Sequence, residues 1–285
     1  MRQRSDPAWL ETQYNNRVRV PGYAQHFERW AAASRLARTA SPAHLDIAYG
    51  AGAGETLDVF PAAMPGAPVL IFIHGGYWRS LDKADFSFIA PAFNAAGATV
   101  VVPNYALCPA VGIEHIALQM TQAVAWVCRH AADHGADGSR LGVVGHSAGG
   151  HLATMLLSCR WKDVADDLQA QPLAGALSIS GLYDLEPLRH VPSLKADLQL
   201  TPAAVKRLSP AFFPRPKGGK LFTTVGLDES DEFLRQNSLI RDVWGPTAVP
   251  VCETLPGVDH FSIVEGLAKP GARLHELALR LVGLR

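Results

Sequence analysis

The chain has 285 residues, of which 48% are hydrophobic, and its 26 basic side chains balance 26 acidic ones. A chain of this size and composition can bury the core of one open α/β domain without requiring a second full domain. Because there is no polybasic run, the charge pattern argues against nucleic acid or an anionic membrane as a partner, and a small ligand is expected.

The cysteines and the amino terminus favour a cytoplasmic protein. The four cysteines are scattered without C-x-x-C spacing, at Cys108, Cys128, Cys159 and Cys252. That distribution favours a reducing compartment over a disulfide framework. The opening residues, MRQRSDPAWLE, lack the apolar core of a signal peptide. No apolar stretch approaches the roughly 20 residues that cross a bilayer.

The first forty residues are predicted to be helical. Asp6 followed by Pro7 fits an N-cap with proline at the first helical position. An amphipathic stripe then recurs at spacings of four, three and four, formed by Tyr23, Phe27, Trp30 and Ser34. The stripe needs a surface to cover, either the sheet edge or the mouth of an active site, and plain packing is the preferred interpretation.

Two short strands are predicted after the break at Ser41-Pro42, over residues 45–49 and 56–60. The series Gly50-Ala51-Gly52-Ala53-Gly54 between them superficially resembles a dinucleotide loop. No helix and no P-loop lysine follow it, so a hairpin connection is predicted instead.

The apolar run over residues 67–73 is typical of a central parallel strand, and it leads into His74-Gly75-Gly76-Tyr77-Trp78. Gly75 and Gly76, at the carboxyl end of a buried strand, can bring consecutive backbone N–H groups to a ligand, as an oxyanion hole requires. The alternative is a glycine turn beside a core histidine.

Strand and helix then alternate, with a strand over residues 98–102 and a helix near 114–134 that Gly135 can cap. His130 and His134 have a spacing that metals use. No third ligand lies nearby, so a solvated helix face is the preferred interpretation and no metal is expected.

The stretch over residues 141–151, LGVVGHSAGGH, contains the pattern G-x-S-x-G after a short apolar strand and before a helical periodicity. Its glycines allow a sharp turn from strand to helix with Ser147 at the apex. A serine hydroxyl is a weak nucleophile unless a base removes its proton and amides hold the oxyanion. The alternative is an ordinary strand-turn-helix connection.

Carboxylates follow two further predicted strands. The strand over residues 174–180 leads to Asp184, which could orient a histidine or simply cap the next short helix. Residues 190–220 carry several prolines and two short helical patterns, which predict a loop-rich excursion over the site. The strand over residues 221–225 is followed by four acids in five positions, which fit a solvated helix start unless one of them turns inward.

The last predicted strand covers residues 249–255 and is followed by Gly257-Val258-Asp259-His260-Phe261. A histidine just past a terminal strand can reach back to Ser147, and it completes the order serine, acid, histidine. The closing helix places Leu274, Leu277 and Leu281 on one face, which should pack on the sheet.

The chain resembles the α/β-hydrolase superfamily in six motifs, H-G-G-Y-W, Y-x-L-x-P, G-H-S-A-G-G-H, G-L-Y-D-L-E-P, E-S-D-E-F-x-R-Q and G-x-D-H-F. More narrowly, it is similar to the bacterial arylformamidase (kynurenine formamidase) group, which is related to the hormone-sensitive-lipase-like esterases. The resemblance spans about residues 45–285, and Tyr14-Asn15-Asn16 in the arm also looks like that group's. The G-L-Y-D-L-E-P and E-S-D-E-F-L-R-Q stretches carry the narrower likeness.

The resemblance implies an α/β-hydrolase fold, with a mostly parallel eight-stranded sheet, helices on both faces and an amino-terminal helical arm. Residues 1–43 would form the arm, as part of the same domain, and residues 44–285 the catalytic domain. A homodimer is also considered.

By the same resemblance, Ser147 is the nucleophile and His260 the base, with oxyanion donors at Gly75, Gly76 and Ala148. The acid stays open, because Glu229 stands where many relatives have aspartate; we favour Glu229, then Asp228, then Asp184. Substrate contacts are expected from Tyr77, Trp78, His146, Tyr183 and Phe261, although each aromatic ring is equally credible as packing.

The implied reaction is hydrolysis of a small acyl amide or ester without metal or organic cofactor. For an arylformamidase, N-formylkynurenine would give kynurenine and formate. The alternatives are a short-chain carboxylesterase and a catalytically inactive hydrolase fold that binds a ligand or partner.

Overall fold

A computed structural model describes residues 6–40, 42–52 and 54–284. Ser41, in the predicted break, and Ala53, in the glycine series, lie outside the described residues, as do residues 1–5 of the opening segment. The described part contains eight strands, which are β1 (His44–Ala48), β2 (Thr56–Phe60), β3 (Ala67–Ile73), β4 (Thr99–Pro103), β5 (Ala136–His146), β6 (Leu173–Ile179), β7 (Lys220–Gly226) and β8 (Val251–Leu255).

Helices connect and cover these strands. The α-helices of the described residues are α1 (Pro7–Tyr14), α2 (Asn16–Arg19), α3 (Tyr23–Ala40), α4 (Ala90–Ala95), α5 (Ile113–His130), α6 (Ala148–Leu157), α7 (Trp161–Val164), α8 (Pro192–Leu198), α9 (Pro202–Leu208), α10 (Asp231–Trp244) and α11 (Arg273–Leu281). Short 3₁₀ helices add Lys83–Ile89, Ala131–His134, Pro187–His190, Pro210–Phe212 and Ser262–Ala268. None of these described helices is both long and apolar enough to span a bilayer.

The strands form one sheet in the order β1-β2-β4-β3-β5-β6-β7-β8. The β1 and β2 strands pair antiparallel as the predicted hairpin, and β2 also runs antiparallel to β4. From β4 to β8 every pairing is parallel. The prediction of a mostly parallel eight-stranded sheet is confirmed.

Two apolar clusters lie on opposite faces of this sheet, because side chains alternate along each strand. In β3, Val69 and Ile71 belong to the cluster beneath α5 and α6, whereas Leu70 and Phe72 belong to the cluster beneath α3 and α11. Every residue of β3 is buried, on one face of the sheet or the other, which explains the continuous apolar run of this strand.

The predicted helical arm is confirmed over its described residues. Asp6 caps α1, and its side chain accepts a hydrogen bond from the amide of Ala8 at 3.0 Å. The amphipathic stripe of α3 packs on the 3₁₀ helix Lys83–Ile89, where the Ser34 hydroxyl donates to the carbonyl of Asp85 at 2.8 Å. Of the two surfaces named for the stripe, the mouth of the candidate site is reached, since Phe27 and Trp30 line the cavity described below.

Two element boundaries differ from the sequence-based expectation. The β5 strand begins at Ala136, five residues before the predicted apolar run, because polar residues at its start still pair with β3 across a register shift. The helix predicted to continue to residue 134 ends at His130 and is followed by a 3₁₀ turn. Gly135 ends that turn in the left-handed conformation, with φ of 71°.

Candidate active site

Ser147 occupies a sharp turn between β5 and α6. Its φ of 56° and ψ of −117° are unusual for a residue with a side chain. The turn is possible because its neighbours are glycines: a Cβ on Gly145 would overlap the carbonyl of Gly149, and a Cβ on Gly149 would overlap the carbonyl of Ile73. The sequence thus forms the tight strand-turn-helix that G-x-S-x-G predicts.

The loop after β8 brings His260 to this serine. Nε2 of His260 lies 3.1 Å from the Ser147 Oγ, and Nδ1 lies 2.6 Å from the Glu229 Oε2. All three residues are at least nine-tenths buried. Because an ionised carboxylate only accepts hydrogen bonds, this geometry leaves the proton on Nδ1 and directs a lone pair of Nε2 toward the hydroxyl.

Glu229 is fixed by a second residue that the sequence analysis did not single out. Its Oε1 accepts a 2.5 Å hydrogen bond from the Ser180 hydroxyl and a 2.8 Å bond from the amide of Gly226. Ser180 follows the end of β6, next to β5 in the sheet. The only signal for it in the sequence is that position at a strand's carboxyl end, which requires the strand order to interpret.

The other two candidate acids do not reach His260. Asp228 is exposed, and its backbone amide donates to the carbonyl of Val258 at 3.3 Å. Asp184 accepts from the amide of Glu186 at 3.0 Å and lies 3.6 Å from the guanidinium of Arg235. Asp184 therefore closes a turn before the 3₁₀ helix Pro187–His190, but it does not cap that helix, whose N-cap residue is Glu186.

Gly75 lies directly against the turn that carries Ser147. A Cβ on Gly75 would stand 2.9 Å from the carbonyl oxygen of His146 and 3.1 Å from the Cβ of Ser147. Gly76 has a φ of 106°, a conformation that favours glycine. Ala148 is the first residue of α6, so its amide is one of those that a helix leaves without an internal acceptor. Gly75 and Ala148 thus adjoin the serine, and Gly76 lines the same cavity as Ser147.

A cavity of about 570 Å³, including its open mouth, lies above Ser147 and His260. Three of the predicted substrate-contacting residues line it: Tyr77, His146 and Phe261. The arm supplies another part of the wall, from Tyr14, Asn15, Asn16, Arg17, Phe27 and Trp30. Composition and periodicity located the arm but did not show that it forms part of the cavity.

The expectation for Trp78 and Tyr183 is corrected, because neither lines this cavity. Trp78 is completely buried and meets the ring of His151 edge-on at 5.0 Å. Tyr183 is also completely buried, and its hydroxyl donates to the Oγ of Ser178 at 2.8 Å. Both rings therefore act as packing, the alternative left open for each.

His146 supports the loop of His260 as well as lining the cavity. Its Nε2 lies 2.8 Å from the carbonyl oxygen of His260, so Nε2 carries the proton in this bond. Burial, reinforced by the nearby His260 ring, holds the pKa of His146 well below the ordinary value. A neutral imidazole is therefore maintained beside the catalytic candidates.

Within the described ranges, no group of three or more His, Cys, Asp or Glu side chains has an arrangement that could hold a metal ion. His130 instead lies 3.1 Å from Asp133 and stacks on Trp126, on an exposed helix face. The 3.1 Å contact between His260 Nε2 and Ser147 Oγ allows proton transfer between these two residues beside the glycine loop.

Comparison with known proteins adds three findings. A family model described as BD-FAE matches residues 57–184. The chain is 30% identical to the kynurenine formamidase of Danio rerio, over 90% of this chain and 88% of that protein. It superposes with a TM-score of 0.84 and 28% identity on a Silicibacter sp. TM1040 protein provisionally described as a thioesterase, covering 96% and 98% of the two chains. The esterase of Pyrobaculum calidifontis shares the fold, with a TM-score of 0.67 at 17% identity over 92% of each chain.

The sheet, the turn at Ser147 and these likenesses define an α/β-hydrolase, an enzyme of the arylformamidase and esterase type. Within that class, the matched kynurenine formamidases align with this chain along most of their own length. The chain belongs to the kynurenine formamidase family.

Proposed function

We propose that this enzyme is an arylformamidase that hydrolyses N-formylkynurenine to kynurenine and formate. The observation that carries the proposal is the 30% identity to a kynurenine formamidase across 90% of this chain and 88% of that protein. The likeness to the esterase of known structure, at 17% identity, supports only a common fold.

In the first step, His260 removes the proton of the Ser147 hydroxyl as Oγ attacks the formyl carbon. The carbonyl oxygen becomes an oxyanion held by the amides of Gly75, Gly76 and Ala148. Glu229 keeps the imidazole in the required tautomer and stabilises its charged form. The carbon–nitrogen bond then breaks, and the imidazolium gives its proton to the departing aromatic amine.

In the second step, water attacks the formyl ester on Ser147. His260 takes a proton from this water and returns it to Oγ when the ester bond breaks, so that formate leaves and the free serine is restored. Both displacements therefore use the same base and the same oxyanion donors.

The cavity supports an aromatic leaving group. Phe27 and Phe261 meet edge-on at a centroid distance of 5.4 Å, and both line the cavity with Trp30 and Tyr77. Aromatic walls of this kind favour a planar ring through stacked or edge-on contacts. The residues come from the arm, from the loop after β3 and from the loop after β8.

The proposal is tested by comparing kcat/KM of the purified enzyme on N-formylkynurenine and on p-nitrophenyl acetate. We expect the formamide to be the better substrate, and Ser147→Ala to abolish both reactions. A negligible formamide rate beside rapid ester cleavage would instead assign the protein as a short-chain carboxylesterase, the second candidate.

A further inference from the structure

Arg17 in α2 carries a positive charge at the cavity without a counter-ion. It lines the cavity, and none of the ion pairs formed by the described residues includes it. Its guanidinium lies 5.7 Å from the ring centre of Tyr23 and 5.6 Å from that of Phe27, and Nη2 donates to the Ser80 hydroxyl at 3.4 Å. Two aromatic faces and one neutral acceptor thus hold the guanidinium in place but leave its charge uncompensated.

The other arginine that lines the cavity differs in this respect. Arg79 forms an ion pair with Asp197 and donates to the carbonyl of Ser193 at 2.6 Å. Its charge is neutralised within the protein, and Nη1 makes both of these contacts. Arg17 is therefore the cavity arginine that is available to an anionic ligand.

Asn16, the neighbour of Arg17, lines the same cavity and carries a side-chain donor that has no partner among the described residues. The residue is only 5% exposed, and its Nδ2 is buried without a hydrogen-bond partner among the described residues. A buried amide that donates to nothing is unfavourable unless a ligand accepts from it. Asn15 holds this segment in place, because its side chain donates to Glu11 at 2.7 Å and accepts from the amide of Val18 at 3.3 Å.

We propose that Arg17 and Asn16 form a subsite for a carboxylate on the leaving group. The guanidinium offers a fork of donors that matches both oxygens of a carboxylate, and Asn16 adds a neutral donor beside it. The inference rests on the proposed function, since it assigns the recognition of the amino-acid end of the substrate, away from the bond cleaved at Ser147. It makes the arm a determinant of substrate selectivity.

The subsite is tested by binding rather than turnover. Dissociation constants for L-kynurenine and for its neutral carboxamide are measured by calorimetry with the wild-type enzyme, with Arg17→Gln and with Arg19→Gln. Arg19 is the matched control, because it is exposed on the same short helix, donates only to the carbonyl of Thr12 in the described structure and does not line the cavity.

We expect the wild-type enzyme to bind the carboxylate about 10- to 100-fold more tightly than the carboxamide, the range for charge-assisted hydrogen bonds. Arg17→Gln should bring the two constants together, Arg17→Lys should restore part of the difference, and Arg19→Gln should leave it unchanged. Asn16→Asp should weaken binding of L-kynurenine more than that of its carboxamide, because the new side-chain carboxylate would repel the carboxylate of the ligand.

Equal binding of the two ligands by the wild-type enzyme, or a preference that survives in Arg17→Gln, would overturn the subsite. The turnover of N-formylkynurenine separates this failure from that of the proposed function. An enzyme that hydrolyses the formamide without carboxylate preference retains the function and loses the subsite. One that prefers the carboxylate but does not hydrolyse the formamide retains the subsite and loses the function.

Discussion

Ser180 contacts the candidate acid and not the cavity, so its expected role is to position Glu229. The short bond between their side chains is buried, and Glu229 Oε1 would retain only the amide of Gly226 if the hydroxyl were removed. We predict that Ser180→Ala lowers kcat about fivefold with little change in KM, because one buried hydrogen bond contributes roughly 1 kcal/mol. The control is Ser178→Ala, which removes a buried hydroxyl two residues earlier, in β6, that accepts from the Tyr183 hydroxyl. Equal losses in both variants would indicate a general effect on stability.

Gly75 tests how tightly the loop after β3 is fitted to the serine turn. A methyl group there would press on His146 and Ser147, so the loop and its amides must shift. We predict that Gly75→Ala lowers kcat by about 10² to 10³, as expected when an oxyanion donor is displaced. Gly112→Ala is the control, since a Cβ at Gly112 meets open space and its φ of −85° suits any residue. Unchanged kcat in Gly75→Ala would remove this loop from the oxyanion hole.

At the scale of elements, a buried charge cluster fastens the arm to the sheet. Asp58 of β2 is fully buried, pairs with Arg38 of α3 and accepts from the Lys83 ammonium at 2.7 Å. Lys83 also pairs with the largely exposed Asp46 at 2.5 Å. The cluster therefore joins four elements, which are α3, β1, β2 and the 3₁₀ helix Lys83–Ile89.

We predict that Asp58→Asn lowers the free energy of unfolding by about 3–5 kcal/mol, because it leaves two cations facing a neutral group in the interior. Asp46→Asn removes a carboxylate from the same lysine at an exposed site and should change stability by less than about 1 kcal/mol. Urea unfolding of the two variants measures both values. If the free energy of unfolding changes by a similarly small amount in both variants, the burial of Asp58 does not strengthen its ion pairs.

The sequence predicted elements well wherever burial was uniform along them. The bounds of β3 follow from its continuous apolar run, and the turn at Ser147 follows from glycines that allow close backbone approach. The sequence did not predict which of the neighbouring acids points inward. The Glu229 side chain is held inward by contacts with His260 and Ser180, which come from two other strand ends. The roles of these residues stay predictions until variants are assayed.

The entry of the arm into the cavity was equally hidden from the sequence. The Tyr14 hydroxyl donates to Glu232 at 2.8 Å across 218 positions of the chain, and the Tyr77 hydroxyl donates to the carbonyl of Tyr14 at 2.7 Å. These bonds depend on tertiary packing and leave no periodicity. A stripe of aromatic residues therefore predicts a covered surface but not which surface is covered.

For the whole molecule, three buried histidines make stability dependent on pH. His74, His146 and His151 are each at least 97% buried, and burial lowers the pKa of every one of them, that of His151 to about 4. In the unfolded chain these groups have a pKa near 6.5. As pH falls, these histidines are therefore protonated first in the unfolded state. Their contribution to the stability of the fold is fully present above about pH 6.5 and is lost as pH falls below that value.

We predict that the Tm stays nearly constant from pH 8 to 7 and falls between pH 6.5 and 4.5, with up to about a tenfold loss in the folding equilibrium per pH unit for each histidine that remains neutral. His151→Gln should reduce the slope, because a glutamine amide can still donate to the carbonyl of Leu208, which His151 contacts at 2.6 Å, without taking up a proton. Differential scanning calorimetry across this range measures the effect.

The carboxylates whose pKa is lowered, Asp46 and Glu55 among them, would act only near and below pH 4.5. A Tm that declines only in that lower range, equally in both proteins, would therefore assign acid sensitivity to the carboxylates and not to the buried imidazoles.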